Sequence, residues 1–213
     1  MQDLVQLPAA PRLPVLDDDD HPVGAFPVGR VFCVGRNYAA HAREMGADPD
    51  AEPPFFFMKP ASAVTGSPAI AYPPATGELH HEVELVLAWG GAAVLACGIG
   101  LDLTRRDRQG EMKAAGRPWE AGKVFPGAAP CGPLRRGTAV LDAPDAELRL
   151  DVNGVRRQTG RLGEMIHGVP ELLRALDGLF ALAPGDLIFT GTPAGVGPLQ
   201  PGDAIVARLA DLP

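Results

Sequence analysis

The sequence predicts an α+β fold that is rich in strand. Three observations carry this. Glycine (26 residues) and proline (23) are frequent while aromatics make up only 6% of the chain, so turns must be many. The apolar runs are short and bracketed by turn residues, as in "PPFFFMKP". Helical periodicity is confined to a few segments. With 213 residues and 46% hydrophobic content, one domain with a real core is expected, preceded by a short N-terminal lead.

The elements follow in chain order. The first thirty residues are proline-rich and carry the acidic run Asp17 to Asp20, which reads as a solvated loop. "RVFCVGRN" gives a strand from Val31 to Val34. Asn37 then reads as an N-cap, and the helix "YAAHAREMG" stops at Gly46. Phe55 to Met58 is a second strand and "HEVELVLAW" a third. "CGIGLDLTRRDRQGEMKAAG" reads as strand, turn, then helix to about Ala115. Leu148, Leu150 and Val152 alternate before Asn153-Gly154, the strongest short hairpin signal. Apolar residues at 165, 166, 169, 172, 173, 176, 179 and 180 have helical spacing, with Pro170 in a first turn. "GDLIFTGTP" and "GDAIVARL" read as closing strands after tight turns.

Charge and cysteine usage exclude several classes. A formal net charge of -7 argues against nucleic acid as the main partner, since phosphate binding needs a basic face. Cys33, Cys97 and Cys131 are widely spaced and odd in number, which suggests free thiols in a reducing compartment. No apolar run reaches membrane-spanning length, and "MQDLVQLPAAPRLPVLDDDD" lacks the basic-then-apolar pattern of a signal peptide. A cytoplasmic protein with no membrane partner is expected.

Four familiar motifs fail. "HHEVEL" (His80 to Leu85) suggests the zinc-protease pattern HExxH, but position 85 is leucine. "GTPAGVG" lacks the Lys and Ser/Thr of a phosphate loop, and "GIGLDL" lacks the third glycine of a dinucleotide fingerprint. There is no GxSxG nucleophile elbow.

What survives is acidic. In one continuous strand, His80, Glu82 and Glu84 would share a face and His81 would point the other way. Taken alone, such a pattern reads first as a polar strand face in water. Yet the strand runs on as "LVLAW", and Asp102 sits in a second near-apolar segment. Three buried carboxylates need a cation, because an unpaired buried charge is very costly. Oxygen-only ligands favour Mg²⁺ or Mn²⁺ over zinc. His80 is displaced along the strand and would support the ligands from behind.

Other groups stay open between two readings. His41 and Glu44 lie three apart on one helix face, either a general base with its orienting carboxylate or a surface ion pair. Lys59 and Lys123 end apolar segments and could bind an anion or simply reach water. Thr190 and Thr192, on a Gly-rich turn, could donate to a carboxylate or merely end a strand.

Together the stretches "VGRNYAAHAREMG", "PPFFFMKPASAV", "LHHEVELVLA", "GLDLTRRDRQGEMKAAGRPWEAGK", "LDVNGVRRQ" and "LAPGDLIFTGTPAGVGPLQPGD" resemble the fumarylacetoacetate hydrolase family. They are most similar to its short acylpyruvate and fumarylpyruvate hydrolases and run in family order after about Val28. The resemblance implies a mixed-sheet β-roll with a few flanking helices, a homodimer, and a catalytic domain over 29–213 after a lead of 1–28. It implies metal ligands Glu82, Glu84 and Asp102, catalytic residues His41, Glu44 and Lys123, and substrate contacts from Arg36, Lys59, Gln109 and Thr192. The implied substrate is a small 2-oxo acid, with oxaloacetate decarboxylation and 2-oxo-alkenoate hydration or isomerisation as related activities. A non-catalytic dimeric relative is the reading of a different class. Two departures from the family pattern stand out. "GGAAVLACGIG" is shorter than the corresponding segment, which carries a further helical piece, and "KVFP" replaces Lys-Gly-Phe-Asp. These bear on how Asp102 and Lys123 are presented.

Overall fold

The computed structural model describes residues 4–6, 8–46, 48, 53–210 and 212, so residues 1–3 and 7 of the expected lead lie outside the described residues. A curled mixed sheet of eight strands organises the chain. Its order is Pro22–Pro27, Arg12–Leu16, Leu134–Arg136, Val94–Leu101, Val83–Trp89, Leu187–Phe189, Val31–Gly35 and Phe55–Lys59. Most neighbours are antiparallel, but Arg12–Leu16 runs parallel to Leu134–Arg136, and Val31–Gly35 parallel to Leu187–Phe189. Three small sheets flank it. They pair Ala129–Pro130 with Val64–Thr65, group Glu147–Val152 with Val155–Arg161 and Ile205–Leu209, and group Leu79–His81 with Gly197–Leu199 and Thr104–Arg105.

The acidic run does form a turn, but the residues around it are strands. Arg12–Leu16 and Pro22–Pro27 pair antiparallel across it and extend the main sheet. The Asp17 carboxylate accepts from the backbone N–H groups of Asp19 and His21, and Arg135 donates to Asp20. Proline hid both strands from a pattern reading; Pro22–Pro27 is the sheet's edge, where a missing donor is tolerated.

The centre of the sheet positions the site. Val83–Trp89 lies between two partners and is buried over six of its seven residues, which is why it reads as a continuous apolar run. It pairs with Val94–Leu101 from Val83↔Leu101 to Trp89↔Val94. The shortened segment is therefore a tight hairpin. Its turn lies at the far end of the ladder from Asp102, so shortening there leaves the register at the Glu84↔Gly100 end intact.

"HEVELVLAW" is not one strand. Leu79–His81 belongs to a flanking sheet and Val83–Trp89 to the main one, and the chain changes sheets at Glu82. The shared-face argument thus reaches Glu82 for a different reason: the break aims its side chain. The change of sheets also leaves His81 buried, not solvated.

Four α-helices occur among the described residues: α1 (Ala39–Glu44), α2 (Arg106–Ala114), α3 (Glu120–Lys123) and α4 (Val169–Phe180). Asn37 is not the N-cap of α1; Tyr38 holds that position without a side-chain cap. The Asn37 amide instead donates to the carbonyls of Thr190 and His167 and accepts from the His167 N–H. α4 starts later than its periodicity suggested. Met165 bridges to Tyr38 and the Ile166 N–H donates to Asn37 O, so these two apolar residues are used in an extended segment. Inside α4, Leu172 and Leu176 are fully buried, each worth roughly 1.5–3 kcal/mol relative to exposure. The Asn153-Gly154 hairpin is present, with positive φ at both residues.

Candidate active site

Glu82, Glu84 and Asp102 come together, all buried, with carboxylate oxygens within 4.8 Å of one another. Glu82 stands at the change of sheets. Glu84 is the second residue of the central strand, and Asp102 follows the end of its hairpin partner. A backbone bond from Asp102 N to Glu82 O (2.8 Å) ties the two segments.

Three cations enter this cluster. Lys123, the last residue of α3, donates to Glu82 Oε2 (2.8 Å), Asp102 Oδ2 (2.6 Å) and Thr104 Oγ1 (2.7 Å). The proline of "KVFP" has not displaced it, for Phe125 stays buried while Pro126 turns outward. Arg106, at the start of α2, pairs with Glu82 Oε1 and donates to Gln109 Oε1 (2.6 Å). Lys59 lies 2.8 Å from Asp102 Oδ1 and donates to the carbonyls of Leu103 and Lys123. The two carbonyls take two of its protons, and Lys59 is absent from the cavity wall. Its place is behind Asp102, set back from the cavity.

Burial alone would push the Glu82 carboxyl up, but Lys123 and Arg106 outweigh it and hold Glu82 well below the usual range. Glu84 goes the other way. Burial, with Asp102 and Glu82 beside it, raises it well above normal, against the opposing Gly191 N–H (2.8 Å) and the Lys123 charge. Gly191 has φ +99°, and a Cβ there would stand 2.6 Å from Asn37 Cβ, so glycine is required to bring this N–H to Glu84. The Lys123 ammonium is lowered by burial but raised on balance by Asp102 and Glu82.

The donor set fits a hard divalent cation. Glu84 has no ion pair among the described residues, although it lies beside two other carboxylates. Asp102 Oδ1 is buried and receives no hydrogen bond; Lys59 is near it but off the bonding direction. One carboxylate without a counter-ion and one oxygen without a donor are what a cation would satisfy.

His41 lies across a small cavity from this cluster. The cavity measures about 20 Å³, room for one water-sized body. Its wall includes His41, Glu82, Glu84, Asp102, Lys123 and Thr192, with Arg36, Gln109 and Lys113 among aromatic rings of Phe55, Phe57 and Trp119. His41 Nδ1 is 3.1 Å from Glu44 Oε2; a carboxylate only accepts, so the proton is on Nδ1 and the lone pair on Nε2. Burial lowers the His41 basicity, partly offset by Glu82 and Glu44. Glu44 is in turn held by the Gly195 N–H at 3.2 Å.

Among the described residues, His80 touches the cluster only through Arg106, the partner of Glu82: its Nδ1 accepts from Arg106 Nε at 3.4 Å. Burial and Arg106 push the imidazole down to about 4, so it stays neutral. Arg36 lines the cavity with positive φ and its guanidinium 4.9 Å over the Phe55 ring. Thr192 is buried and accepts from Gln158. Sequence reasoning missed Arg106, Thr104, Lys113 and Trp119. Two of these were legible by spacing: Thr104 shares an extended face with Asp102, and Arg106 is three residues before Gln109 on a helix.

A buried oxygen cluster with a hydrogen-bonded His/Glu pair across a small cavity defines a metal-dependent enzyme site on a curled β-roll. Comparison with known proteins makes this specific. The family pattern described as "Fumarylacetoacetate (FAA) hydrolase C-terminal" matches residues 30–213, and the chain belongs to this family. A solved structure of a fumarylpyruvate hydrolase from Pseudomonas aeruginosa, in complex with Mn²⁺ and pyruvate, superposes with a TM-score of 0.90. It is 43% identical, over 99% of this chain and 96% of that one. An oxaloacetate tautomerase of Escherichia coli (strain K12) is 41% identical over 193 residues, 84% of this chain and 88% of its own. A mitochondrial oxaloacetate decarboxylase of Dictyostelium discoideum is 36% identical over 196 residues, 86% and 89% of the two chains. No helix among the described residues is long and apolar enough to cross a membrane.

Proposed function

We propose that the protein hydrolyses 3-acylpyruvates, 2,4-dioxo acids such as fumarylpyruvate, to pyruvate and a carboxylic acid. One observation carries the reading: the His41–Glu44 pair faces the carboxylate cluster across the small cavity that His41 and the three carboxylates line together. A base poised beside a water is needed for hydrolysis and not for decarboxylation.

Glu82, Glu84 and Asp102 would hold Mg²⁺ or Mn²⁺. Such an ion supplies Lewis acidity toward the adjacent carboxylate and 2-oxo oxygens of the substrate. His41 Nε2 takes a proton from water as the water oxygen bonds to the 4-carbonyl carbon. Glu44 keeps the imidazole in the right tautomer and stabilises the imidazolium that forms. The C3–C4 bond then breaks, its electron pair passes to C3, and the His41 proton returns to give pyruvate and the acid. Lys123 spends its three protons on Glu82, Asp102 and Thr104, so its first role is to hold two carboxylates in place. Contact with a developing oxyanion requires exchange of one of those bonds. The rim cations Arg36 and Lys113 suit an anionic substrate.

A second reading is tautomerisation or decarboxylation of oxaloacetate, favoured by the names of the relatives at 41% and 36% identity. One experiment separates them. The purified protein is given a panel of acylpyruvates and oxaloacetate, with Mg²⁺, Mn²⁺ or EDTA, and loss of enol absorbance and pyruvate formation are followed. Acylpyruvate turnover that EDTA abolishes supports hydrolysis. Turnover of oxaloacetate alone, retained in His41→Ala, refutes hydrolysis.

A further inference from the structure

We propose that Gln158 is a positioning residue for this site: its carboxamide fixes both neighbours of Glu82 and turns the Thr192 hydroxyl proton toward the cavity. The proposal rests on the reading of the site given above.

Gln158 lies in strand Val155–Arg161, outside the main sheet, at one of the two buried positions of that strand. It is fully buried, where an apolar side chain would ordinarily sit, so each of its polar atoms must be satisfied. All four bonding positions are used. Oε1 accepts from Val83 N–H (3.1 Å) and from His81 Nδ1 (2.8 Å). Nε2 donates to Thr192 Oγ1 (2.8 Å) and Pro193 O (2.8 Å).

The orientation of this amide is forced. Val83 N–H can only donate and Pro193 O can only accept, so a flipped amide would face like with like at both ends. His81 must then carry its proton on Nδ1. Thr192 Oγ1 must accept, which leaves its own proton directed elsewhere, and Thr192 lines the cavity. His81 and Val83 flank Glu82 at the point where the chain changes sheets, so Gln158 holds the break that aims this carboxylate. The same strand supports the loop beyond Thr192. Gly195 lies so close that a Cβ there would be 2.2 Å from Arg157 O, and its N–H donates to Glu44. One buried amide thus joins Glu82, Thr192 and the loop that holds the His41–Glu44 pair.

Gln158→Glu tests it, being nearly isosteric. The carboxylate still accepts from Val83 and His81, but it takes the Thr192 proton in place of donating one and sets an oxygen against Pro193 O. With the Mn²⁺-loaded full chain, KM for the acylpyruvate is expected to rise about tenfold or more with kcat within about threefold. Affinity for oxalate, which carries two adjacent oxygens like a 2-oxo acid, should fall in parallel by calorimetry, and Mn²⁺ affinity should stay within about threefold. The effect should shrink severalfold in a Thr192→Val background, since no hydroxyl is left to redirect and only the carboxylate facing Pro193 O remains. Gln158→Met, which lacks every bond to the flanks of Glu82, should lose Mn²⁺ affinity by roughly 10–100-fold. Wild-type KM and oxalate affinity in Gln158→Glu, or additivity with Thr192→Val, would overturn the proposal. If the wild type hydrolyses no acylpyruvate, the proposed reaction fails on its own, while the Mn²⁺ and oxalate titrations still read Gln158.

Discussion

The two halves of the site are built in opposite ways. The carboxylate cluster is buried, stands on and at the ends of the two most central strands, and is held by Lys123, Arg106 and Lys59. The His41–Glu44 pair sits on a helix of six residues, with no side-chain cap and Glu44 about one-third exposed. Two backbone-to-carboxylate contacts from one glycine hold it to the rest of the site. The ionic half is over-determined and should be rigid; the proton-transfer half is lightly tethered. Removing Asp102 or Glu82, the carboxylates paired with these cations, should therefore damage both the fold and the site, whereas removing the base should damage only the chemistry.

The largest effect is expected for Asp102→Asn. Asp102 contacts Lys59 and Lys123, and its loss leaves two buried ammonium groups short of a partner. Activity should fall by more than the roughly 10–100-fold typical for partners outside the ligand set. In EDTA the fold should lose about 3–5 kcal/mol, measured by urea unfolding. A variant that is inactive yet fully stable would mean that the two lysines find other partners and that the cluster is not the over-determined half.

His41→Ala comes next, with a loss of about 10²–10⁴ in kcat. The contrast with Asp102 is sharpened by the other readouts, since Mn²⁺ affinity and unfolding midpoint should be unchanged. A comparable drop in stability would place His41 within the structural core.

How far the sequence foretold this contrast depends on the kind of signal each half leaves. Glu82, Glu84 and Asp102 were legible because charged residues in apolar strands break a pattern, and the Asn153-Gly154 hairpin because its turn needs particular residues. Arg106 left only the weaker trace of its spacing from Gln109, since a cation on a helix surface is ordinary until the fold turns it toward Glu82. Gln158 was invisible because its partners lie 34 to 77 residues away in sequence. The change of sheets at Glu82 was hidden for a related reason. "HEVELVLAW" alternates well enough for one strand, and only the competing partners Gly197–Leu199 and Thr104–Arg105 pull its start into another sheet. Asn37 looked like a cap because asparagine at a helix start usually is one; its long-range bonds to Thr190 and His167 prevailed.

Glu44→Gln should have a smaller effect and a distinct pH signature. Burial lowers His41 below its ordinary 6.5, and the Glu44 carboxylate partly offsets this. The unprotonated base is the active form, so activity should fall as pH drops below the His41 value, on the acid side of 6.5. Without the carboxylate the imidazole becomes less basic still, and the acid limb should move to lower pH with kcat reduced about tenfold. A shift to higher pH would mean that the limb belongs to another group.

The smallest effect on the fold should come from within the rigid half, at Glu84. Its carboxylate neighbours repel its charge and burial disfavours it, which the Gly191 N–H and the Lys123 charge do not outweigh, so a neutral side chain suits the metal-free fold at least as well. Glu84→Gln keeps an oxygen for the Gly191 N–H. In EDTA its stability should lie within about 1 kcal/mol of wild type, or above it, while Mn²⁺ binding weakens strongly. The same substitution at Glu82 should destabilise, because Lys123 and Arg106 would lose their shared partner. Two glutamates on either side of one valine would then answer oppositely to the loss of charge. If both variants destabilise alike, Glu84 is paired as firmly as Glu82, and the case for a cation resting on its lack of a counter-ion falls.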